Sequence, residues 1–246
     1  REGNKNSNLP TIVGIVVLFD TVTGLPKCLF NGGYFTALRT ASGCAVASLL
    51  RCKKENMKSL MIFGGGAQAK IHAKIMQYLF VFETVVICNR SKVNLNEFKY
   101  NDNNNVETKF LYVHSDDEED VNSFVAQSQM ICTCTPSTFP LFKGSFVSEG
   151  TFINAVGSFK NTMRELDDVL LEKAFVIADD KNHVLETTGE FKGKKEESVH
   201  ASLGQLLVTE KEEIDWKKKT ITVFKSVGHS AQDLFFASKA YQILKE

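Results

Sequence analysis

The chain has 246 residues, with 29 Lys and Arg against 29 Asp and Glu, so its formal net charge is zero. Hydrophobic residues make up 43% and charged residues 24%, the mix of a soluble globular protein holding one large domain or two small ones. The balance excludes a strongly basic nucleic-acid binder or membrane-surface protein, and no apolar run approaches the about 20 residues that span a bilayer.

Ile12–Phe19, broken only by Gly14, reads as a buried strand, followed by a turn at Thr23-Gly24-Leu25-Pro26. A strand this apolar cannot serve as an exposed edge. It is expected to pair with strands from an upstream segment or a second subunit. Phe35–Cys52, rich in Ala, Leu and Ser, reads as a helix. Ser59–Phe63 is a short strand ending in three glycines, and Ala67–Phe80 is a helix with Ile71, Ile75 and Leu79 on one face. Strands follow at Thr84–Cys88 and Val106–Val113, a helix at Glu118–Gln127, and strands at Met130–Thr135 and Thr151–Val156. A helix at Leu166–Lys173, a strand at Ala174–Asp179, a helix at Ala201–Val208 and a strand at Thr220–Lys225 come next. A last helix starts at Ala231, with Ser230 and Asp233 at capping-box spacing. Strand and helix alternate with short links, which is the pattern of a parallel sheet covered by helices. The Asn-rich tract 101–105 and the charged tracts 116–120, 192–197 and 210–219 read as solvated loops.

The chain opens on polar residues without an initiator Met, so no secretory leader is visible and the start of the protein is expected to lie upstream. Cys28, Cys44, Cys52, Cys88, Cys132 and Cys134 contain no Cys-x-x-Cys pair and lack nearby ligands at zinc spacing. They read as reduced thiols in a cytoplasmic protein that binds no metal.

The most informative segment is Met61-Ile62-Phe63-Gly64-Gly65-Gly66-Ala67-Gln68-Ala69, a G-x-G-x-x-A pattern between a strand and a helix. Gly64 permits the tight turn out of the strand. Gly66 lets the backbone approach a pyrophosphate, and Ala69 lets the helix lie close to the sheet. The first N–H groups of the helix then face the phosphates. The second strand ends Ile87-Cys88-Asn89-Arg90-Ser91. It lacks the acid that an NAD site uses for the adenosine ribose. Arg90 instead offers a charge-assisted pair to a 2′-phosphate, with Asn89 and Ser91 as further donors, which points to NADP(H).

Several segments together resemble the ornithine cyclodeaminase/mu-crystallin family. They are Phe35-Thr36-Ala37-Leu38-Arg39-Thr40-Ala41-Ser42, the glycine segment with Gln68, Ala69 and His72, and Asn89-Arg90-Ser91. Ile153-Asn154-Ala155-Val156-Gly157-Ser158, Arg164-Glu165-Leu166-Asp167 and Phe224-Lys225-Ser226-Val227-Gly228 complete the set, which runs in the family's order from about Leu9 to Tyr241. The resemblance implies a homodimer. A doubly wound Rossmann sheet, residues 51–228, is inserted in an α+β substrate and dimerisation domain formed by residues 1–50 and 229–246 and incomplete at its N-terminus. It also implies roles. Arg39 would bind the substrate carboxylate and Thr40 would lie near the cofactor. Gly64, Gly66, Ala67 and Gln68 would hold the pyrophosphate, and Asn89, Arg90, Ser91 and Asn94 would form the NADP pattern of the mu-crystallin branch. Thr135, Pro136, Val156, Ser226, Val227 and Gly228 would line the nicotinamide end.

Two departures stand out. Nothing here matches the basic N-terminal segment of family members. Phe159 occupies the position where true cyclodeaminases carry a proton-transferring Asp. The expected activity is therefore NADPH-dependent reduction of a small cyclic ketimine carboxylate. The alternatives are a non-catalytic NADPH and small-ligand binder, and a cyclodeaminase or amino-acid dehydrogenase acting on an amino-acid carboxylate. Glu165 reads as a partner of Arg164, His200 as an ordinary helix-start residue, and His229 as a neighbour of the nicotinamide pocket.

Overall fold

The computed structural model describes residues 13–100, 107–209 and 219–245. Ile12, the Asn-rich tract, Val106 and most of the tract 210–219 lie outside the described residues. The chain divides into two compact units, one of residues 1–40 and 229–246 and the other of residues 41–228.

In the smaller unit, β1 (Ile15–Phe19) pairs antiparallel with β2 (Pro26–Asn31). One partner of β1 is therefore the next segment of the same chain, which the sequence reading did not name. The sequence reading missed β2 because Pro-Lys-Cys-Leu-Phe-Asn carries few β-branched residues. Asp20 organises the turn, accepting from the N–H groups of Val22 and Thr23 and pairing with Lys27 at 2.5 Å. Val17 and Leu29 are cross-strand partners, and on their face of the hairpin Ile15 and Leu29 are 71% and 66% exposed. Helix α1 (Gly32–Arg51) starts here, with the Asn31 side chain accepting from the Tyr34 N–H. The last helix of the chain, Ser230–Ile243, packs on β1.

The larger unit is built on an eight-stranded parallel sheet. Its strands are β3 (Ser59–Phe63), β4 (Thr84–Asn89), β5 (Lys109–His114), β6 (Met130–Thr133) and β7 (Phe152–Ala155). They continue with β8 (Phe175–Ala178), β9 (Ala201–Ser202) and β10 (Thr222–Lys225). The order across the sheet is β5-β4-β3-β6-β7-β10-β8-β9. Its strands are near-continuous apolar runs because both faces are covered. One face carries Met61, Phe63, Val86, Ile153 and Val223 beneath α3 (Glu118–Gln127), α4 (Asp168–Lys173) and α5 (Lys181–Thr187). The other carries Leu60, Ile62, Val85, Ile87 and Phe224 beneath the second half of α1, α2 (Ala67–Leu79) and α6 (Leu203–Val208). This is the doubly wound Rossmann arrangement expected from the sequence. His72, fully buried on α2, joins that helix to α1: its Nδ1 lies 2.8 Å from the Gln68 carbonyl and its Nε2 3.4 Å from Cys44 Sγ.

Helix α5 was not foreseen, and the helix expected at Ala201 begins at Leu203 because Ala201 and Ser202 join the sheet beside β8. His200 consequently does not start a helix. Its Nδ1 accepts the Val176 N–H at 3.1 Å, extending the edge of β8. The last helix, α7 (Ser230–Ile243), is capped one residue earlier than expected. His229 Nδ1 accepts from the Ala231 N–H, and the Gln232 side chain accepts from the His229 N–H.

Candidate functional site

The strand order reverses between β3 and β6, and a crevice opens beyond the carboxyl ends of strands at such a point. The glycine turn stands there. Gly64 has φ +117, a left-handed conformation, and a Cβ on it would lie 2.7 Å from the Cys134 carbonyl oxygen. Only glycine fits, so the turn seats directly on the chain leaving β6. A Cβ on Gly65 would meet Asn89 Nδ2 and Val93 Cγ1, both at 3.0 Å, which ties the turn to the end of β4. A Cβ on Gly66 would meet nothing within 4 Å.

That open space faces the start of α2, which differs from the other helices. Asn31, Asp117, Asp167, Asp180, Ser202 and His229 each accept a backbone N–H with a side chain at the starts of α1, α3, α4, α5, α6 and α7. The N-cap of α2 is Gly66, with no side chain to do so. No side-chain hydrogen bond caps this end, and the positive end of the helix dipole stands behind the open space at Gly66. Exposed Ala67 and half-buried Gln68 form this first turn. The residues present fit a dinucleotide pyrophosphate.

At the end of β4, the Asn89 side-chain amide donates to the Ser91 carbonyl at 2.8 Å and to Ser91 Oγ at 3.3 Å. These bonds shape the loop. Tyr112 O–H donates to the Asn89 carbonyl at 3.1 Å, bracing the same loop from β5. Arg90 is exposed beyond it. The Asn94 side chain accepts from the Asn96 N–H and caps the short helical turn Leu95–Phe98.

The strand ends on the other side of the switch point carry Thr135, Pro136 and Val156, of which Val156 is 8% exposed and Pro136 is exposed. Beneath them sits a residue whose part the sequence reading missed. Arg164 pairs with Asp168 at 2.8 Å, not with Glu165. Glu165 is fully buried, and its carboxyl group accepts from the Thr133 hydroxyl, the Thr135 N–H, the Thr135 hydroxyl and the Gly157 N–H at 2.7 to 2.8 Å. Burial pushes the Glu165 carboxyl above the usual range, while the Lys225 charge and these hydrogen bonds oppose the rise. The signal was available in principle, as Glu165 lies between apolar Met163 and Leu166 in a segment otherwise full of turn residues. Ser226, Val227 and Gly228 follow β10, and Asp179 Oδ2 accepts from the Ser226 hydroxyl, the Val227 N–H and the Gly228 N–H at 3.1, 2.8 and 2.6 Å.

Arg39 and Thr40 lie in the smaller unit. Thr40 is buried and its hydroxyl donates to the Thr36 carbonyl. Arg39 Nε donates to Asp233 at 3.3 Å and Nη1 to Gln232 at 3.1 Å, which fixes the guanidinium plane. Two of its five N–H groups are used in this way. Asp233, expected in the cap of α7, serves here instead.

A model of the ornithine cyclodeaminase/mu-crystallin family matches residues 1–246. The chain belongs to that family. It is 34% identical over 251 residues to Delta(1)-pyrroline-2-carboxylate reductase of Bacillus thuringiensis, covering 97% of this chain and 73% of that protein. It is 32% identical over 240 residues to mouse ketimine reductase mu-crystallin, covering 98% and 72%. The solved Delta(1)-pyrroline-2-carboxylate reductase of Thermococcus litoralis, in complex with NADH and L-proline, superposes with a TM-score of 0.80 at 27% identity. The match covers 97% of this chain and 74% of that one.

Among the described residues no helix is long and apolar enough to cross a membrane. Burial pushes the thiols of Cys52, Cys88 and Cys132 up to about 12, which makes them poor nucleophiles and poor metal ligands.

Proposed function

We propose that this protein is an NADPH-dependent reductase of small cyclic imine carboxylates. The observation that carries the reading is the uncapped start of α2, set at the switch point of a parallel sheet with open space above Gly66. The relatives named for pyrroline-2-carboxylate and ketimine reduction support the substrate class. A reduced nicotinamide, when bound, would supply the hydride that becomes the new C–H bond of a protonated C=N group, whose π electron pair stays on the nitrogen.

The chain's own residues bind and orient. First-turn N–H groups of α2 hold the pyrophosphate, and exposed Arg90 meets the 2′-phosphate that distinguishes NADPH. Arg39 clamps the substrate carboxylate with the three N–H groups that Asp233 and Gln232 leave to it. Phe159, 38% exposed on the loop after β7, offers an apolar ring where a cyclodeaminase needs a carboxylate. Glu165, the acid nearest in sequence on that loop, is turned inward and occupied by four donors. An iminium substrate already carries its proton, so hydride transfer asks the protein for orientation and dryness more than for a strong acid.

The chain is further proposed to act as a homodimer, because Ile15 and Leu29 form an exposed apolar face on the hairpin of the smaller unit. The deciding assay is loss of NADPH absorbance with five- and six-membered cyclic imine carboxylates, beside ammonia release from ornithine with NAD. Imine reduction without ammonia is expected. Ammonia without imine reduction would replace the reading with a cyclodeaminase, and silence in both would favour a binding protein.

A further inference from the structure

Glu165 is a fully buried side chain at the carboxyl edge of the sheet with four hydrogen-bond donors on it, and the activity proposed above gives it no chemical step. Its four contacts are distributed evenly. Oε1 accepts from the Thr135 N–H and hydroxyl, and Oε2 from the Thr133 hydroxyl and the Gly157 N–H. These donors belong to the ends of two neighbouring strands, β6 and β7. The approach is close: a Cβ on Gly157 would stand 2.3 Å from Glu165 Oε1 and 2.0 Å from the Thr135 carbonyl. Glu165 is itself held by its main chain, its N–H donating to Glu190 Oε1 at 2.8 Å and its carbonyl accepting from Leu141 at 2.9 Å. Lys225, fully buried at the end of β10, has no hydrogen-bond partner for Nζ among the described residues and acts on Glu165 through its charge.

We propose that Glu165 is a positioning residue: by gripping Thr135 and Gly157 from below, it sets the surface against which the nicotinamide ring lies. The inference rests on the dinucleotide reading above and deepens it. A carboxylate is the only side-chain group that can take four donors in one plane without offering one, and the two backbone N–H groups among them cannot turn away. The strand ends are thus locked to each other before any ligand arrives, which is the preorganisation a hydride transfer needs.

The test uses Glu165→Gln. Whichever way the amide is turned, its NH2 faces one backbone N–H: that of Thr135, which has no second acceptor among the described residues, or that of Gly157, which is then left with only the Thr133 carbonyl at 3.2 Å. Amide exchange at Thr135 and Gly157 in the free protein is expected to quicken at least about tenfold. Cofactor affinity, held mainly by the pyrophosphate site, should change less than about threefold. Emission from the bound reduced nicotinamide should move towards that of free cofactor, and kcat for imine reduction should fall about 10- to 100-fold with KM little changed. Thr133→Val, which removes one hydroxyl and leaves both backbone contacts, should shift the same readouts in the same direction by a smaller factor. It decides the matter if the Gln variant does not fold. Folded variants with unchanged amide exchange and nicotinamide emission would overturn the proposal, as would a kcat loss no larger than the loss of folded protein. A wild type that binds cofactor but reduces no imine would sink the functional reading alone, because exchange and emission still judge the grip.

Discussion

Acidification should destabilise this protein through one residue, His72. The imidazole is fully buried between α2 and α1, and burial lowers its pKa from 6.5 to about 4. The Gln68 carbonyl can only accept, so Nδ1 carries the proton and Nε2 is the lone-pair side facing the Cys44 thiol. A second proton would face only the thiol sulfur, a weak acceptor, and burial disfavours the charge. The folded-state value is depressed, so the associated stability is complete above about pH 6.5 and is lost as pH falls towards about 4. In that window the unfolded chain binds one more proton, and stability falls by about 1.4 kcal/mol per pH unit. Between about pH 7.5 and pH 5 the loss comes to about 2 kcal/mol, a large part of a typical margin. His72→Gln removes the titration at a fixed cost of about 1 kcal/mol in misplaced hydrogen bonds. Urea unfolding of both proteins at the two pH values should therefore show the variant weaker at pH 7.5 and equal or stronger at pH 5. Glu165 and His200 titrate in both proteins and cancel in the difference. Parallel pH dependences for wild type and variant would refute the reasoning.

Other outcomes follow from the same geometry. Arg90→Ala should weaken NADPH binding about 10- to 100-fold by calorimetry, from the loss of a contact worth about 1.5–3 kcal/mol. NADH affinity and the melting temperature should barely move, and equal wild-type affinities for the two cofactors would remove the basis for the claim. Arg39→Lys should raise KM for the imine carboxylate and lower kcat, because an ammonium keeps neither the planar fork nor the hold of Gln232 and Asp233 together. Unchanged steady-state constants would exclude Arg39 from the substrate site. Leu29→Glu, on the exposed face of the hairpin, should shift the protein towards monomer in light scattering, and a monomeric wild type would contradict the dimer outright.

The sheet was legible in the sequence because burial on both faces writes each strand as a short apolar block, and β3 and α3 appear at the bounds expected for them. The glycine turn was legible because backbone geometry at Gly64 leaves no other choice of residue. Strand β2 was not, since a half-exposed hairpin arm with Pro26, Lys27 and Asn31 has no alternation to read. The burial of Glu165 could be suspected from its apolar flanks, but its partners could not be read, for a different reason. Local sequence places Arg164 beside it, and only the fold brings Thr133, Thr135 and Gly157 to its carboxyl group. Asn89 is similar: the bonds of its side-chain amide to Ser91 were not legible in the sequence. Polar side chains are the ones whose partners sequence order conceals.

The position of β10 bears on how the protein is made. It is the last strand of the chain, yet it lies between β7 and β8, pairing with both. During vectorial synthesis β7 can pair with β6 and β8 with β9, but the edges of β7 and β8 that face β10 stay open until residues 222–225 have left the ribosome. From the synthesis of β7 and β8 until that of β10 the nascent chain carries two open, apolar strand edges, the condition under which chains recruit chaperones or associate with one another. Every sheet neighbour is also distant in sequence, so closure is slow even once all the parts are present. A messenger truncated shortly before the codon for Thr222 would yield not a smaller enzyme but an unfinished sheet with its central seam missing, and quality control would be expected to see it as such.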